Sequence, residues 1–412
     1  MAKDTFRDLT SLDEALEQCR QQLEGRRTEK ELVPLDEALG RVLASPARAN
    51  MPLPHFRRST MDGYAVRASN TFSASAASPV MLRLVGCVHI GQAPDFVLQA
   101  GEAAEIPTGG MLPAGADAVV MLEYAELMGE DTVQAFRPVA PGQHVQQVGE
   151  DMPEGTEALA TGMRLTSAHI CLLAALGRME VEVYRRPRVA LVSTGDEIVP
   201  AHSQPARAQT RDANAHGLAA LCGQSGGEPI VLGIVHDEPE ALYEAAKEAL
   251  NDCDLFIISG GSSLGARDMT LEVLERLCSP GVFVNGIALR PGKPTIIASA
   301  QGKLAFGLPG HPVSALVVFH RLVRPVVAWL SGTEPPEAWL SARITRTVPS
   351  EPGLTEYVRV RLSCEDERWL AEPLFGKSAS ISCLADADGL VEIPAGTEGI
   401  DQGELVNVIL WS

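Results

Sequence analysis

The chain has 412 residues, of which 45% are hydrophobic and 21% charged, and it contains no uninterrupted apolar run of about 18 residues, the length that a membrane span requires. At roughly 100 to 200 residues per domain, this length predicts two to four domains of a soluble protein with no membrane partner. The formal net charge is −19, from 34 Lys and Arg against 53 Asp and Glu. Such a surface would repel a nucleic-acid backbone, so no nucleic acid is expected as a partner and any anion site must depend on local charge.

The first part of the chain predicts two short helices and a small β domain. Residues 9–23 and 34–44 each carry apolar side chains at helical spacing, which predicts an amphipathic helix in both places. Residues 51–147 change to short apolar or β-branched runs between Gly and Pro turns, which is typical of a small β domain. Residues 153–182 contain a further predicted helix around 166–176. The charged N-terminus has no apolar secretory core, so a cytoplasmic location is expected.

Strands and helices alternate from residue 187 onward. The runs RVALVSTGDE, PIVLGIV, DLFIISGG and LAFGLPG read as strands, and each is followed by a helix-like segment. This alternation implies right-handed crossovers and predicts a three-layer α/β domain with a parallel sheet. Asp212 is placed to cap the first of these helices, and Pro325 is expected to kink the last. After the Pro-marked linker GTEPPEAW the chain returns to short alternating strands, which predicts a separate C-terminal β domain.

Four loops that follow predicted strands are rich in polar residues and glycine. They are residues 193–197 (STGDE), 235–239 (VHDEP), 259–268 (SGGSSLGARD) and 307–312 (GLPGHP). In an open parallel sheet, ligands bind beyond the carboxyl ends of the strands, so these loops should share one edge. The Gly- and Ser-rich third loop offers backbone N–H and hydroxyl groups that suit a phosphate or a similar oxyanion.

The same edge carries four carboxylates, at Asp196, Glu197, Asp237 and Asp268. They would repel a bare phosphate, so a hard cation is expected between them. Mg²⁺ is the natural candidate, because it is commonly held by one or two carboxylates together with ligand phosphates. For each carboxylate the alternative is a helix cap, although this is the less favoured explanation for all four.

Other polar positions keep two interpretations on spacing alone. Arg290 and Lys293 flank the tight turn of LRPGKP, where they could hold an oxyanion or form a solvated basic turn. Asp62, Thr108 and Asp151 lie at turns of the β region, where a plain turn is the alternative. The eight cysteines have neither CxxC pairs nor zinc-ligand spacing, so reduced packing residues are expected. The sequence contains no Ser/His/Asp elbow, P-loop or HExxH motif.

Seven motifs, taken in order, resemble those of one family. They are STMDGYAVR, IPTGGMLPAGADAVVMLE, GEDMPEGT, RVALVSTGDEIV, SGGSSLGARD, RPGKP and GLPGHPVSA. Each is weak singly, but their order and separations resemble the molybdopterin molybdenumtransferase (MoeA) family, to which the gephyrin E domain also belongs. The resemblance extends from about residue 9 to about residue 410.

The resemblance implies a multidomain α/β plus β protein that forms an elongated homodimer. Its expected units are an elongated linking and dimerisation domain (24–52 plus 147–182), a small β domain carrying MDGYA (53–146), a three-layer, MogA-like α/β domain that binds molybdopterin (8–23 plus 183–331), and a C-terminal β domain (332–412). The implied reaction is insertion of molybdate into adenylylated molybdopterin, with Mg²⁺-dependent release of AMP. The β domain of the other subunit would complete each active site, and the upstream adenylyltransferase is a further expected partner.

The family's functional positions are carried over residue by residue. The implied catalytic residues are Asp62, Asp151, Glu197, Asp237 and Asp268, of which Glu197, Asp237 and Asp268 are also the implied metal ligands. The implied substrate-binding residues are Thr108, Ser193, Thr194, Gly195, Ser259, Gly260, Gly261, Ser262, Arg290, Lys293, Pro309, Gly310, His311, Pro312, Arg359 and Ser378. Pro309 and Pro312 match the two prolines that shape the loop at the metal site.

Several residues depart from the family pattern. Arg290 replaces a usual Lys, and Arg57 and Arg58 replace a usual Asp-Asn beside MDGYA, where they could aid oxyanion capture or only decorate the surface. Arg267 with Asp268 resembles the Arg-Asp of molybdopterin adenylyltransferases. His311 stands where the family usually has Asn, so it is interpreted as an N–H donor or a pocket wall, not as a base.

Three alternatives to the molybdate transferase stay open at this point. The first is an adenylyltransferase acting one step earlier, which would need neither the MDGYA domain nor the C-terminal β domain. The second is an insertase that prefers tungstate, which resembles molybdate in size and charge. The third is a dimeric scaffold without catalysis, of the gephyrin E type, although such a scaffold would have had no need to keep the carboxylates.

Overall fold

A computed structural model of the chain describes residues 9–260, 264–277, 280–335 and 337–411. The α-helices are α1 (Leu12–Leu23), α2 (Ser167–Ala175), α3 (Asn214–Gln224), α4 (Pro239–Asp252), α5 (Leu264–Leu277), α6 (Pro312–Val318), α7 (Arg324–Leu330) and α8 (Ser382–Ala385). The strands of the first part of the chain are β1 (Lys30–Pro34), β2 (Ala47–Arg48), β3 (Arg58–Ser59), β4 (Gly63–Val66), β5 (Val80–Cys87), β6 (Glu102–Ile106), β7 (Ala118–Met121), β8 (Ala125–Met128), β9 (Thr132–Ala135), β10 (Val145–Gln146), β11 (Glu157–Leu159) and β12 (Glu180–Tyr184). Those of the second part are β13 (Arg188–Thr194), β14 (Ile198–Val199), β15 (Thr210–Arg211), β16 (Glu228–Val235), β17 (Leu255–Ser259), β18 (Pro280–Asn285), β19 (Leu289–Arg290), β20 (Ile296–Ala300), β21 (Lys303–Leu308), β22 (Trp339–Ile344), β23 (Val348–Pro349), β24 (Thr355–Glu365), β25 (Arg368–Pro373), β26 (Gly389–Ile393), β27 (Gly399–Ile400) and β28 (Leu405–Leu410).

The predicted N-terminal helix is present, but the helix predicted over residues 34–44 was wrong. Helix α1 begins after Ser11, which forms a reciprocal capping box with Glu14. Residues 34–44 contain only a single 3₁₀ turn, Leu35–Glu37. Gly40 then takes a φ of +74° and donates its N–H to the Leu165 carbonyl. Backbone pairing with a distant segment therefore replaces the helix that the apolar spacing favoured.

Two segments that are far apart in sequence pack together in a linking unit. Strand β1 pairs antiparallel with β12, and β2 pairs with β11. Helix α2 lies where a helix around 166–176 was predicted, and buried side chains from both segments, such as Leu43 and Leu173, share one core cluster. The exact domain boundaries stay a prediction.

The region between the two halves of the linking unit forms the expected small β domain. Its sheet has six strands in the order β7-β4-β6-β5-β9-β8. One core cluster contains Tyr64 and Val66 while the other contains Ala65, so alternate residues of β4 pack into different clusters.

The α/β domain contains a six-stranded sheet in the order β16-β13-β17-β21-β20-β18. The first four strands are parallel, as predicted, and β20 and β18 extend the sheet antiparallel. Helices α1, α3, α6 and α7 contribute to one core cluster, whereas α4 and α5 contribute to another. The sheet therefore lies between two helical layers, which is the three-layer arrangement predicted from the sequence.

One long apolar helical segment of the described chain, Pro312–Leu330, belongs to this core. It is 19 residues long and has a mean hydropathy of 1.5, enough to cross a membrane by length and composition, but 72% of it is buried inside the protein. A π-helical stretch, Phe319–Val323, separates α6 from α7. This irregularity precedes Pro325, which has no N–H to donate to the preceding turn.

The C-terminal region forms the expected separate β unit. Its sheet has the order β19-β24-β25-β22-β28-β26, with an additional pairing of β24 with β26. Strand β19 comes from the α/β part of the chain and pairs parallel with β24, placing Arg290 opposite Glu356. The two units are thus joined by a backbone ladder beside the LRPGKP turn.

Candidate active site

The four predicted loops do share one edge of the α/β sheet. Thr194 at the end of β13 is in register with Val235 at the end of β16, and Ser259 of β17 is in register with Leu308 of β21. Because all four strands are parallel, the loops that follow them emerge on the same side. The prediction of a common edge is confirmed.

A cavity of about 370 Å³, called here the strand-edge cavity, opens at this edge. Its lining includes eight residues carried over from the family pattern: Ser193, Thr194, Glu197, Ser259, Gly260, Gly310, His311 and Pro312. It also includes Thr210, Arg211, Asp212, Asn214, Ala379 and Ile381, which sequence reasoning did not place in a ligand site. A volume in this range suits a small organic ligand.

Two glycines at this edge are required by the backbone. A Cβ atom on Gly260 would lie 2.4 Å from the carbonyl oxygen of Thr194, and Gly195 has a φ of +149°, a conformation that other residues rarely adopt. Real Cβ atoms cannot approach backbone so closely, so Gly260 keeps the ends of β13 and β17 in contact. This gives a physical reason for glycine at two of the predicted positions.

Two loops of the edge are tied together by carboxylates. Thr194 Oγ1 donates to Asp237 Oδ1 at 2.8 Å, and the Asp237 backbone N–H donates to Asp196 Oδ1 at 3.2 Å. His236 Nδ1 lies 3.3 Å from the same Asp196 oxygen. Asp237 thus lies beside the cavity, and Thr194 occupies only one of its two carboxylate oxygens.

Asp268 and Asp212 have different positions from these carboxylates. Asp268 is exposed on α5 and does not belong to the lining of the cavity. Within the described ranges, no three His, Cys, Asp or Glu side chains lie close enough together to hold a metal ion, so Glu197, Asp237 and Asp268 do not converge in a single copy of the chain. Asp212 accepts from the Ala215 N–H at 3.0 Å, which confirms it as a helix cap.

A second, larger space of about 890 Å³, called here the interdomain cleft, lies between the α/β domain and the C-terminal β unit. The family-derived residues that line it are Arg290, Lys293, Pro309, His311, Arg359 and Ser378. Lys377, which sequence reasoning missed, adds another cation. Lys377 could have been found from the sequence, because it directly precedes Ser378 in GKSAS. The protein is acidic overall, but cationic side chains gather in this cleft.

Arg359 is the most deeply placed of these cations. The residue is only 7% exposed, and its Nη2 donates to the carbonyls of Leu374 and Gly376 at 3.2 and 3.1 Å. Its Nε is buried and has no hydrogen-bond partner among the described residues. Burial lowers the pKa of Arg359, and the nearby Cys383 and Glu356 oppose that change. Arginine nevertheless stays protonated in proteins, so the cleft holds a buried cation with one donor available.

Arg290 lies at the acidic side of the same cleft. Its Nη1 is 3.8 Å from Glu351 and 3.9 Å from Glu356, and the side chain is half exposed. At these separations and this exposure the pairs are loose and screened by solvent. The guanidinium can therefore exchange them for an oxyanion at little cost.

His311 belongs to both spaces. Its residue lines the strand-edge cavity and the interdomain cleft, and its Nδ1 lies 2.9 Å from Ser378 Oγ. The Val313 N–H also donates to the Ser378 carbonyl at 3.2 Å. The turn between Pro309 and Pro312 is thereby fastened to the C-terminal β unit, which agrees with the interpretation of His311 as a donor or a wall.

The remaining predicted catalytic residues lie in other units. Asp62 Oδ1 accepts from the Thr108 N–H at 2.7 Å, and this contact lowers the pKa of the exposed Asp62 carboxyl. Asp151 is exposed in a turn whose backbone N–H donates to Leu53. None of the described residues that line the strand-edge cavity or the interdomain cleft comes from 53–146. Asp62 and Thr108 therefore form a pair of their own, away from the α/β edge of the same chain.

The remaining departures from the family pattern also have their own contacts. Arg58 donates to the Gln146 side chain at 2.8 Å, and Arg57 donates to the Ala116 carbonyl at 3.4 Å. Arg267 is buried and donates to Asn285 Oδ1 at 2.6 Å. Each of these guanidinium groups thus has a partner within its own part of the fold. Two other predicted residues, Gly261 and Ser262, lie outside the described residues.

Family models match most of the chain in three consecutive parts. The MoeA N-terminal region (domain I and II) matches residues 10–177, a probable molybdopterin binding domain matches residues 190–329, and the MoeA C-terminal region (domain IV) matches residues 341–411. The middle match contains the four strand-end loops, and the last contains Arg359 and Ser378.

Curated relatives and solved structures agree with these matches. A molybdopterin molybdenumtransferase of Bacillus subtilis is 34% identical over 97% of this chain and 93% of its own length, and one of Nostoc is 36% identical over 92% and 88%. Two structures of a molybdopterin biosynthesis MoeA protein from Pyrococcus horikoshii cover 98% of this chain and all of theirs, with TM-scores of 0.83 and 0.86 and identities of 39% and 29%. The similarity therefore extends over whole proteins in both sequence and fold.

Proposed function

The chain belongs to the molybdopterin molybdenumtransferase (MoeA) family, and on that premise we propose that it inserts molybdate into adenylylated molybdopterin, with release of AMP, in the biosynthesis of the molybdenum cofactor. The observation that carries the proposal is the buried cation Arg359 of the interdomain cleft, whose Nε has no partner in the part of the chain that the structure describes. A tetrahedral dianion is the ligand that such a donor needs, because it supplies acceptors and opposite charge.

In this proposal, each of the two spaces binds one of the two substrates. Molybdate lies in the interdomain cleft, held by Arg359 and Lys293 with Ser378 donating a neutral hydrogen bond. Adenylylated molybdopterin lies in the strand-edge cavity, where the backbone at Gly260 faces the ligand without a side chain in between. The turn around His311 borders both spaces, so it brings the oxyanion next to the organic substrate.

The residues at the strand edge fit a magnesium ion in part. Glu197 and Asp237 are the residues that would hold it, since Glu197 lines the cavity and Asp237 keeps one oxygen beyond its bond to Thr194. When bound, Mg²⁺ would neutralise pyrophosphate oxygens of the substrate, and it needs only one or two protein carboxylates for that purpose. Thr194 orients the Asp237 carboxylate towards this edge.

Asp62 and Thr108 act across a homodimer in this proposal. Their position away from the α/β edge of their own chain, in a unit of its own, supports a role in the partner's active site. The Thr108 N–H keeps Asp62 ionised and fixes the direction of its carboxylate. A residue that reaches into the active site of the partner subunit requires both. Cytoplasmic location accords with this substrate chemistry and is part of the proposal.

The proposal is tested by incubating purified protein with adenylylated molybdopterin and Mg²⁺ and measuring AMP with and without molybdate. We expect AMP release that depends on molybdate, and a parallel series with tungstate measures the preference between the two oxyanions. In a second reaction the protein receives molybdopterin, ATP and Mg²⁺ without molybdate. Accumulation of adenylylated molybdopterin in that reaction, together with no molybdate-dependent AMP release in the first, would show that the enzyme acts one step earlier.

A further inference from the structure

The hydrogen bonds of Asn214, at the first turn of α3, determine the orientation of its side-chain amide. The residue is 8% exposed, and its Nδ2 donates to Ser259 Oγ and to the Gly310 carbonyl, both at 2.9 Å. A carbonyl oxygen can only accept, so the amide nitrogen must face Gly310 and the amide cannot be reversed. Both amide hydrogens are used, and the carbonyl Oδ1 is left.

Two residues that line the strand-edge cavity therefore each carry a buried polar atom that no described residue satisfies. Asn214 Oδ1 has no hydrogen-bond partner among the described residues, and neither has the Oγ of Ser193, a residue that is only 3% exposed. Both residues line the cavity. Buried polar atoms are normally paired, so two unpaired ones in one ligand-sized space indicate that the missing partner is the ligand.

The chemistry of these atoms restricts what can lie against them. Asn214 Oδ1 can only accept, so phosphate and molybdate oxygens, which are acceptors themselves, would leave it unsatisfied. The group bound at this point must instead be an N–H or O–H donor.

We propose that Asn214 and Ser193 form a subsite that recognises an N–H donor on the heterocycle of the substrate. This inference rests on the proposed function, which supplies two heterocycles with such donors. A pterin carries an exocyclic amine beside a ring N–H, and an adenine carries an exocyclic amine beside a ring nitrogen that accepts. Ser193 can complete either pattern because a hydroxyl donates and accepts.

The same amide also supports the neighbouring turn. By donating to the Gly310 carbonyl, Asn214 fixes the peptide that leads into His311, and Ser259 fixes the amide from the other side. Asn214 is thus both a recognition residue, through Oδ1, and a positioning residue, through Nδ2. The two roles respond differently to substitution: Asn214→Asp keeps an acceptor and loses both donated bonds, whereas Ser193→Ala removes only an unpartnered hydroxyl.

The experiment compares pairs of probes that differ in one donor. Equilibrium dialysis measures binding of 6-hydroxymethylpterin against its 2-desamino analogue, in which hydrogen replaces the exocyclic amine, and of AMP against purine riboside 5′-monophosphate, in which the same change is made on the purine. We expect one pair to be discriminated at least about tenfold by the unmodified protein, because the analogue lacks the N–H donor and leaves the Asn214 carbonyl without a partner. The pair that is discriminated identifies the heterocycle.

The variants assign that discrimination to the subsite. Ser193→Ala should lower affinity for the preferred probe about five- to tenfold, the effect of one neutral hydrogen bond, without lowering thermal stability. Ser331→Ala is the matched control, since that buried hydroxyl donates to Val327 in α7, and it should lower stability and leave probe binding unchanged. Asn214→Asp should reduce stability and keep the discrimination, because a carboxylate oxygen still accepts, whereas Asn214→Leu should reduce both.

Equal binding within both probe pairs, or discrimination that survives undiminished in both Ser193→Ala and Asn214→Leu, would overturn the subsite. Molybdate-dependent AMP release by the unmodified protein is measured in parallel. If that activity is present while the probes are not discriminated, the subsite fails and the proposed function stands. If the activity is absent while the probes are discriminated, the proposed function fails and the subsite stands.

Discussion

Replacement of Arg359 by Gln tests the oxyanion cleft most directly. The Arg359 guanidinium donates two hydrogen bonds to carbonyls, and its Nε has no partner among the described residues. A molybdate oxygen that accepts from Nε would form a charge-assisted bond, worth about 1.5–3 kcal/mol. Since each 1.4 kcal/mol is a factor of ten, Arg359→Gln should weaken molybdate binding by about 10- to 150-fold.

The assay for this prediction is equilibrium dialysis of molybdate, followed by AMP release at increasing molybdate concentration. We expect the molybdate requirement to rise while affinity for the organic substrate changes little, because Arg359 lines only the interdomain cleft. Arg343→Gln is the matched control: this exposed arginine of the same β unit also donates to a carbonyl, that of Gly403, outside the cleft. Unchanged molybdate affinity in a folded Arg359→Gln protein would refute the assignment.

Four further predictions follow from other parts of the molecule. Asp62→Ala and Asp237→Ala proteins should each be inactive. A mixture of the two that forms random dimers should recover up to about a quarter of full activity in the AMP assay, because one site of each heterodimer is intact. No recovery of activity would argue against a shared site. Burial, followed by the charges of Arg324 and Arg321, lowers the pKa of His320 to about 3. The unfolded chain therefore binds more protons than the folded chain between about pH 6.5 and 3. In urea denaturation the free energy of unfolding should be at its full value above pH 6.5 and fall by up to about 1.4 kcal/mol per pH unit below it, with a shallower slope in His320→Phe. Gly260→Ala should lower the free energy of unfolding by about 1–3 kcal/mol and remove most of the activity, because its Cβ would clash with Thr194. Gly223→Ala, whose Cβ would meet no atom within 4 Å, should stabilise α3 by about 0.5–1 kcal/mol in thermal denaturation. His311→Asn should keep most of the AMP release, since an amide can still reach Ser378, and complete loss would make His311 a catalytic group.

Periodicity predicted those elements whose local pattern agrees with their tertiary surroundings. The alternation after residue 187 specified the three-layer domain and, through the common edge of parallel strands, the position of Thr194 and Asp237. The same reasoning was wrong for residues 34–44, where the turn at Gly40 and pairing with a distant segment outweigh a helical pattern. Reasoning from periodicity also missed the antiparallel pairing of β18 and β20, because no local sequence pattern distinguishes the direction of a strand.

The candidate site was predictable only in part for a similar reason. Polar residues that follow strands could be found from topology, but Asn214 lies at the start of a helix, where Asn normally indicates capping. Its role depends on Ser259 and Gly310, which are distant in sequence. Arg359 was indicated by family resemblance and not by any pattern, since its burial beneath the Leu374–Gly376 backbone is a tertiary property. Glu197, Asp237 and Asp268 do not converge in a single copy of the chain, and their role as metal ligands stays a prediction.

The position of His311 as a wall common to both spaces has a thermodynamic consequence. Any occupant that shifts its ring on one side changes the volume and the hydrogen bond to Ser378 on the other side. The two binding equilibria are then linked, and linkage is reciprocal: the factor by which the oxyanion changes affinity for the organic substrate equals the factor for the reverse effect. Order of addition can alter how fast the ternary state forms but not how much of it exists at equilibrium.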